Sequence, residues 1–228
     1  MESSELAQRY RGATATDYEQ RRIGEPSWAR EQAIVSSMLA VFPRDATLID
    51  VPIGTGRFFE FYQARGLRPT GVDVSADMLA QAQQKAIEVG LAATLEAGDI
   101  RSLRFATGGF DGAVCIRLFN LIALPDVVLG VRELARVSRR HVILGVRCFV
   151  PVRELLRRPG RAGLITRQLA RRLRAMMSSR MLRIHPRADV LDAFARSGLT
   201  IVRSDSVEQF ANGSELVVYL LEKAGSPR

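Results

Sequence analysis

Short, almost wholly apolar runs alternate with stretches of helical period through the first two thirds of the chain. Residues 47–52, 69–74, 93–96, 110–116 and 141–148 form such runs and predict buried strands, since a parallel sheet is covered on both faces. Between them, residues 57–65, 75–88 and 127–137 predict helices. Gly66 and Gly90 stand just past two of these, where a left-handed residue ends a helix, and Ser75 is placed as a cap. Ahead of the first strand, residues 1–44 predict an N-terminal cap of two helical stretches. The clearer one, 27–42, has Ser27 as its cap and Pro43 as its stop, with Ile34, Met38, Leu39 and Phe42 on one face. At the other end, residues 187–197 predict a helix stopped by Gly198. Two further strands, 199–207 and 216–222, are joined around Asn212–Gly213, a hairpin signal.

This order predicts a single α/β domain over residues 1–228, with a Rossmann-like, doubly wound sheet of seven strands. The sheet is expected to be mostly parallel, with a C-terminal antiparallel hairpin and a helical insert after the fifth strand. The composition agrees with a globular domain: 47% hydrophobic and 25% charged residues. Cys115 and Cys148 both lie in apolar runs and read as small buried residues; two thiols make neither a disulfide framework nor a four-cysteine metal site, so no metal is expected. The polar first ten residues have no apolar signal core, and no run reaches the roughly 18 apolar residues of a membrane span. A cytoplasmic protein is expected, with peripheral membrane contact as an option.

Charge changes the picture in one place. The chain carries a net +9, yet residues 151–187 alone hold eleven arginines and a single acid, Glu154. Within them Ile165, Leu169, Leu173, Met176 and Met177 recur at helical spacing, opposite Arg167, Arg171 and Arg174, which predicts a basic amphipathic helix. Three uses compete: a lid over an active site, a contact with an anionic membrane, or a contact with phosphates of an acceptor such as RNA. RNA is disfavoured, because the segment has no aromatic residue on which bases stack.

Candidate chemistry gathers at strand ends. Asp50, Asp73 and Asp99 end or follow three successive strands, where open α/β sheets bind ligands. Gly54 and Gly56 form the first turn, but Phe59 stands where a dinucleotide fingerprint has its third glycine, and no phosphate-loop lysine follows. A nicotinamide dehydrogenase is therefore not expected. An acid 17 residues beyond Gly56, namely Asp73, suits a ribose diol.

Asp50-Val-Pro-Ile-Gly54-Thr-Gly56-Arg resembles the first motif of class I S-adenosylmethionine-dependent methyltransferases, in the bacterial variant with a proline, Pro52, at the first glycine position. Val72-Asp73-Val-Ser-Ala-Asp-Met78-Leu79 resembles the second motif, and Ala97-Gly98-Asp99-Ile100 the third. The resemblance implies S-adenosylmethionine as cofactor, held by Asp50, Pro52, Gly54, Gly56, Asp73, Val74, Met78, Asp99, Ile100, Arg117 and Leu118. Gly54 and Gly56 would line its methionine part, with Asp50 near the ammonium. Asp73 would take the ribose hydroxyls, Met78 would lie beside the adenine, and Asp99 with the Ile100 backbone would meet the adenine amine. Arg117 and Leu118 would stand near the sulfonium. Methyl transfer from a sulfonium needs alignment more than a base, so catalytic candidates are few: Arg117 and Asn120 after the fourth strand, His185 after the basic segment, and Tyr18 from the N-terminal stretch, with Arg21 and Trp28 beside it. Structural roles compete for each, and His141 reads as structural.

The implied function is methyl transfer to a small-molecule or lipid-like acceptor. The competing reading is a non-catalytic protein of the same fold that binds anionic membrane or RNA through its basic insert. The acceptor atom and the oligomeric state are not legible.

Overall fold

In a computed structural model of the chain, residues 22–149, 183–210 and 212–225 are described, together with Glu5, Gln8, Tyr10, Gly12 and Asp17. The described elements are α1 (Pro26–Met38), β1 (Thr47–Asp50), α2 (Phe59–Arg65), β2 (Arg68–Asp73), α3 (Ala76–Val89), β3 (Thr94–Ala97), β4 (Phe110–Cys115), α4 (Leu124–Val137), β5 (Ser138–Phe149), β6 (His185–Pro186), α5 (Arg187–Arg196), β7 (Leu199–Gln209) and β8 (Ser214–Lys223). One sheet holds all eight strands, seven of them in the order β3-β2-β1-β4-β5-β8-β7, with β6 paired to β5 beside that path. The first five are parallel, and β8 runs antiparallel to both β5 and β7. The strand beyond the seven expected is β6, two residues paired with Cys148 and Phe149 at the end of β5. A strand that short leaves no periodicity in the sequence.

The helices cover both faces. Val131 and Leu134 of α4 and Val190 and Phe194 of α5 join one buried cluster. Val35 and Met38 of α1, Phe59 and Tyr62 of α2, and Ala82 and Ala86 of α3 join the other. That double cover is why β1, β4 and β5 read as continuous apolar runs. The hairpin strand β7 lies at the sheet edge, and Ile201 and Val202 on it are exposed. Cys115 and Cys148 are free and buried.

Local signals place the helix ends. The Ser75 side chain accepts from the Met78 N–H at 3.3 Å and starts α3, while Gly66 and Gly90 end α2 and α3 with φ of 65° and 67°. Ser27 does not cap α1: the cap position is Glu25, and Pro26 begins the helix, where its missing N–H costs nothing. The helix also stops earlier than its apolar face suggests, passing into a 3₁₀ turn over Leu39–Val41. Among the described residues, no helix is long and apolar enough to cross a membrane.

Candidate active site

The turn after β1 sets the centre. Gly54 and Gly56 have φ of 56° and 77°, a region costly for residues with a Cβ. A Cβ on Gly54 would meet nothing within 4 Å, whereas one on Gly56 would lie 2.5 Å from the Phe59 ring. The two glycines therefore do different jobs. Gly54 leaves open space at a cavity wall, and Gly56 admits the buried Phe59 that replaces the dinucleotide glycine. Asp73 holds the turn from the end of β2: Oδ2 accepts from the Gly54 N–H at 3.0 Å and Oδ1 from the Ser75 N–H at 2.9 Å. Burial pushes the Asp73 carboxyl above its ordinary range, against these bonds.

Two cavities meet at this acid. The larger is walled by Tyr10, Trp28, Phe58, Met78, Ile116 and Leu121, with Gly54, Arg57 and Arg117 also lining it. The smaller is lined by Gly98, Asp99, Ile100, Arg101 and Ile122. Pro52, Asp73, Val74 and Leu118 border both. Nine of the eleven residues expected to hold a cofactor thus line one cavity or the other, Gly56 and Asp50 being outside. The arrangement fits an adenosine that carries a positive charge: an acid at the junction, apolar walls on either side, and an open glycine.

The three acids differ in their surroundings. Asp99 faces the smaller cavity but is clamped by Arg101, whose Nε and Nη2 reach its two oxygens at 3.1 and 2.7 Å. Asp50 lies behind the cavity wall, with Oδ2 accepting from the Tyr62 hydroxyl at 2.8 Å. Its pKa is pushed up to about 7 by burial; the Tyr62 bond opposes this and the Asp73 charge adds to it.

Beyond the larger cavity stands a cluster that helical periodicity did not disclose. Glu31 on α1 is fully buried, and its Oε2 accepts from Arg57 Nη1 and from Arg117 Nε, the latter at 2.6 Å. Arg57 also donates through Nη2 to the Trp28 carbonyl at 2.7 Å, and its guanidinium lies 3.4 Å from the centroid of the Trp28 ring. The Arg117 guanidinium approaches the same ring at 5.1 Å. Arg117 has φ of 64°, a left-handed conformation that costs an arginine roughly 1–2 kcal/mol. Trp28 thus does face the cavity from the N-terminal region, as does Tyr10, whose carbonyl accepts from the Ser75 hydroxyl at 2.7 Å.

Other candidates sit elsewhere. Asn120 lines neither cavity: its Oδ1 accepts from the Arg147 N–H at 2.6 Å and its carbonyl from the Arg183 N–H at 2.7 Å, so it ties β5 to the returning chain. His185 is buried in β6 with Nε2 donating to the Phe119 carbonyl at 2.7 Å, and burial lowers its pKa. Its Nε2 is tied to a backbone carbonyl and the ring lines neither cavity, which gives it a packing role. His141 is likewise structural, edge-on to Phe42 at 5.8 Å. Tyr18, Arg21 and the expected helix around residues 164–177 lie outside the described residues.

Comparison with known proteins agrees with this geometry. Residues 48–141 match the family described as a methyltransferase domain. Phosphatidylethanolamine N-methyltransferase of Cereibacter sphaeroides is 30% identical over 142 residues, 61% of this chain and 66% of that protein. A ubiquinone/menaquinone biosynthesis C-methyltransferase of Bdellovibrio bacteriovorus is 38% identical over 94 residues, 40% of this chain and 39% of that protein. The chain therefore spans less than two thirds of either relative. Among solved structures, the fold is shared with magnesium protoporphyrin IX methyltransferase from Synechocystis PCC 6803 with bound S-adenosylhomocysteine: TM-score 0.72, 18% identity, 98% of this chain and 100% of that one.

Proposed function

We propose that the methyltransferase domain formed by residues 48–141 holds S-adenosylmethionine across the two joined cavities and methylates a lipid-like acceptor in the larger one. The observation that carries this reading is the junction at Asp73, an acid between two apolar-walled cavities beside an open glycine turn. When bound, S-adenosylmethionine supplies an electrophilic methyl carbon on a sulfonium. The chain's residues do the rest. Asp73 accepts from the ribose hydroxyls, Val74 and Leu118 flank the nucleoside, and Asp99 with the Ile100 N–H takes the base. Trp28, Phe58, Ile116 and Leu121 keep water from the reacting atoms. Two curated relatives named for phosphatidylethanolamine and quinone substrates support an acceptor of lipid class. Incubation with methyl-tritiated S-adenosylmethionine and vesicles of phosphatidylethanolamine, or an isoprenoid quinone precursor, tests it. Label is expected in the organic phase; transfer to water-soluble acceptors alone contradicts the lipid assignment.

Asp50 gives this reading a pH signature. A bound cation favours the ionised carboxylate, so with a free-state pKa of about 7 binding expels the proton. Affinity for S-adenosylmethionine is expected to rise about tenfold per pH unit below 7 and to level off above it. Calorimetry from pH 5.5 to about 8.5 checks this. The Asp50→Asn variant is expected to show a flat profile, and a flat profile in the unmodified protein contradicts the role of Asp50.

The arginine-rich residues 151–187 begin where β5 ends, and the described chain resumes at Arg183 on the carbonyl of Asn120, three residues from Arg117 in the cavity wall. Their surplus of basic charge supports a contact with anionic lipid. Co-sedimentation with phosphatidylglycerol vesicles is expected at about 50 mM salt and largely lost at about 500 mM, where the Debye length shrinks below ~5 Å. Absence of sedimentation at the lower salt favours a lid.

A further inference from the structure

The geometry points to Arg117 as an oxyanion-binding residue of the larger cavity, positioned by the buried carboxylate of Glu31. The inference rests on the proposed methyltransferase reading of that cavity and adds a recognition role to it. Arg57 is committed internally: one Nη to Glu31, the other to the Trp28 carbonyl, its face on the Trp28 ring. Arg117 is different. Its Nε is held by Glu31 at 2.6 Å, and among the described residues its two terminal Nη groups have no hydrogen-bond partner. The side chain is 15% exposed and lines the larger cavity but not the smaller. A guanidinium fixed at Nε presents its remaining donors as a planar fork, the shape that takes a carboxylate or phosphate with two parallel bonds.

Two further observations agree. Two guanidiniums share one carboxylate, so the cluster of Glu31, Arg57 and Arg117 carries a net positive charge at the cavity wall. An anionic ligand group at Arg117 offsets it. The positive φ of Arg117 is a strained conformation that persists only where the surroundings require it, and such strain gathers at ligand-binding positions. The oxyanion has two possible sources, the α-carboxylate of the cofactor's amino-acid tail and a phosphate on the acceptor. Both put the same chemistry on the same fork.

Calorimetric titrations of the full chain separate the sources. The titrants are S-adenosylhomocysteine, 5′-methylthioadenosine (which lacks the tail), and glycerol 3-phosphate added at saturating S-adenosylhomocysteine. Arg117→Gln is expected to weaken one oxyanion-bearing titrant by at least about tenfold while leaving 5′-methylthioadenosine within about twofold. Loss on S-adenosylhomocysteine assigns the cofactor carboxylate, and loss on glycerol 3-phosphate assigns an acceptor phosphate. Arg117→Lys, which keeps the charge without the fork, is expected to restore only part of the affinity. Glu31→Gln is expected to weaken the same titrant and spare 5′-methylthioadenosine, a selectivity that general loosening would not produce. If Arg117→Gln binds all three titrants as the unmodified protein does, the inference is overturned. If the unmodified protein binds neither nucleoside, the methyltransferase reading fails instead, and Arg117 stands or falls on glycerol 3-phosphate.

Discussion

Replacing Asp73 by alanine is expected to weaken S-adenosylmethionine binding by about two to four orders of magnitude. Two hydroxyl bonds to a buried carboxylate are worth roughly 1.5–3 kcal/mol each, and every ~1.4 kcal/mol is tenfold in affinity. The loss has a second source, because the same carboxylate accepts from the N–H groups of Gly54 and Ser75. Without it the glycine turn loses the bond that fixes its distance from β2. Asp73→Asn retains an acceptor for the turn and lowers the charge, so its loss is expected to be about tenfold to a hundredfold. Equilibrium titration of both variants, with melting curves to show that each is folded, checks the order. Equal affinities for Asp73→Ala and the unmodified chain would remove the acid from the site.

The largest stability effect is expected at Glu31. Its carboxylate is fully buried and is the shared partner of Arg57 and Arg117, while Oε1 has no hydrogen-bond partner among the described residues. Glu31→Ala leaves two guanidiniums facing one another without their counter-charge. Breaking a buried pair in this way costs about 3–5 kcal/mol. For a chain of this size that is a fall of roughly 10 °C in Tm, each kcal/mol being worth about 2–4 °C. Glu31→Gln keeps the volume and one acceptor and is expected to fall about half as far. Thermal unfolding by circular dichroism reads both. A Glu31→Ala melt within about 2 °C of the unmodified protein would mean that the cluster is solvated and not a keystone.

Much of this architecture is written locally. Strands covered on both faces have to be apolar throughout, so β1, β4 and β5 stand out as runs. A serine cap and left-handed glycines mark the ends of α3 and α2 because the backbone demands those residue types there. The acids at strand ends were legible for a topological reason, and Asp73 and Asp99 do reach the cavities. What escaped is long-range. Glu31 reads as one more charge on an amphipathic helix, and only the fold brings it to Arg57 and to Arg117, 26 and 86 residues away. The Tyr62 partner of Asp50 looks like an ordinary core aromatic. Asn120 is adjacent in sequence to the cavity residue Leu121 and His185 falls in the basic segment, yet backbone groups claim their side chains, which spacing does not reveal. Pro26 is the stronger local signal at the start of α1: it marks the first helical position more strongly than Ser27 marks a cap.

A crystal structure of the full chain with S-adenosylhomocysteine reaches the central claim most directly. The ribose hydroxyls are expected on the two oxygens of Asp73, the adenine in the cavity bounded by Gly98, Asp99 and Ile100, and the amino-acid tail running past Gly54 towards Trp28. A nucleoside found away from Asp73, or lying in the opposite sense with its base against Trp28, would contradict the account.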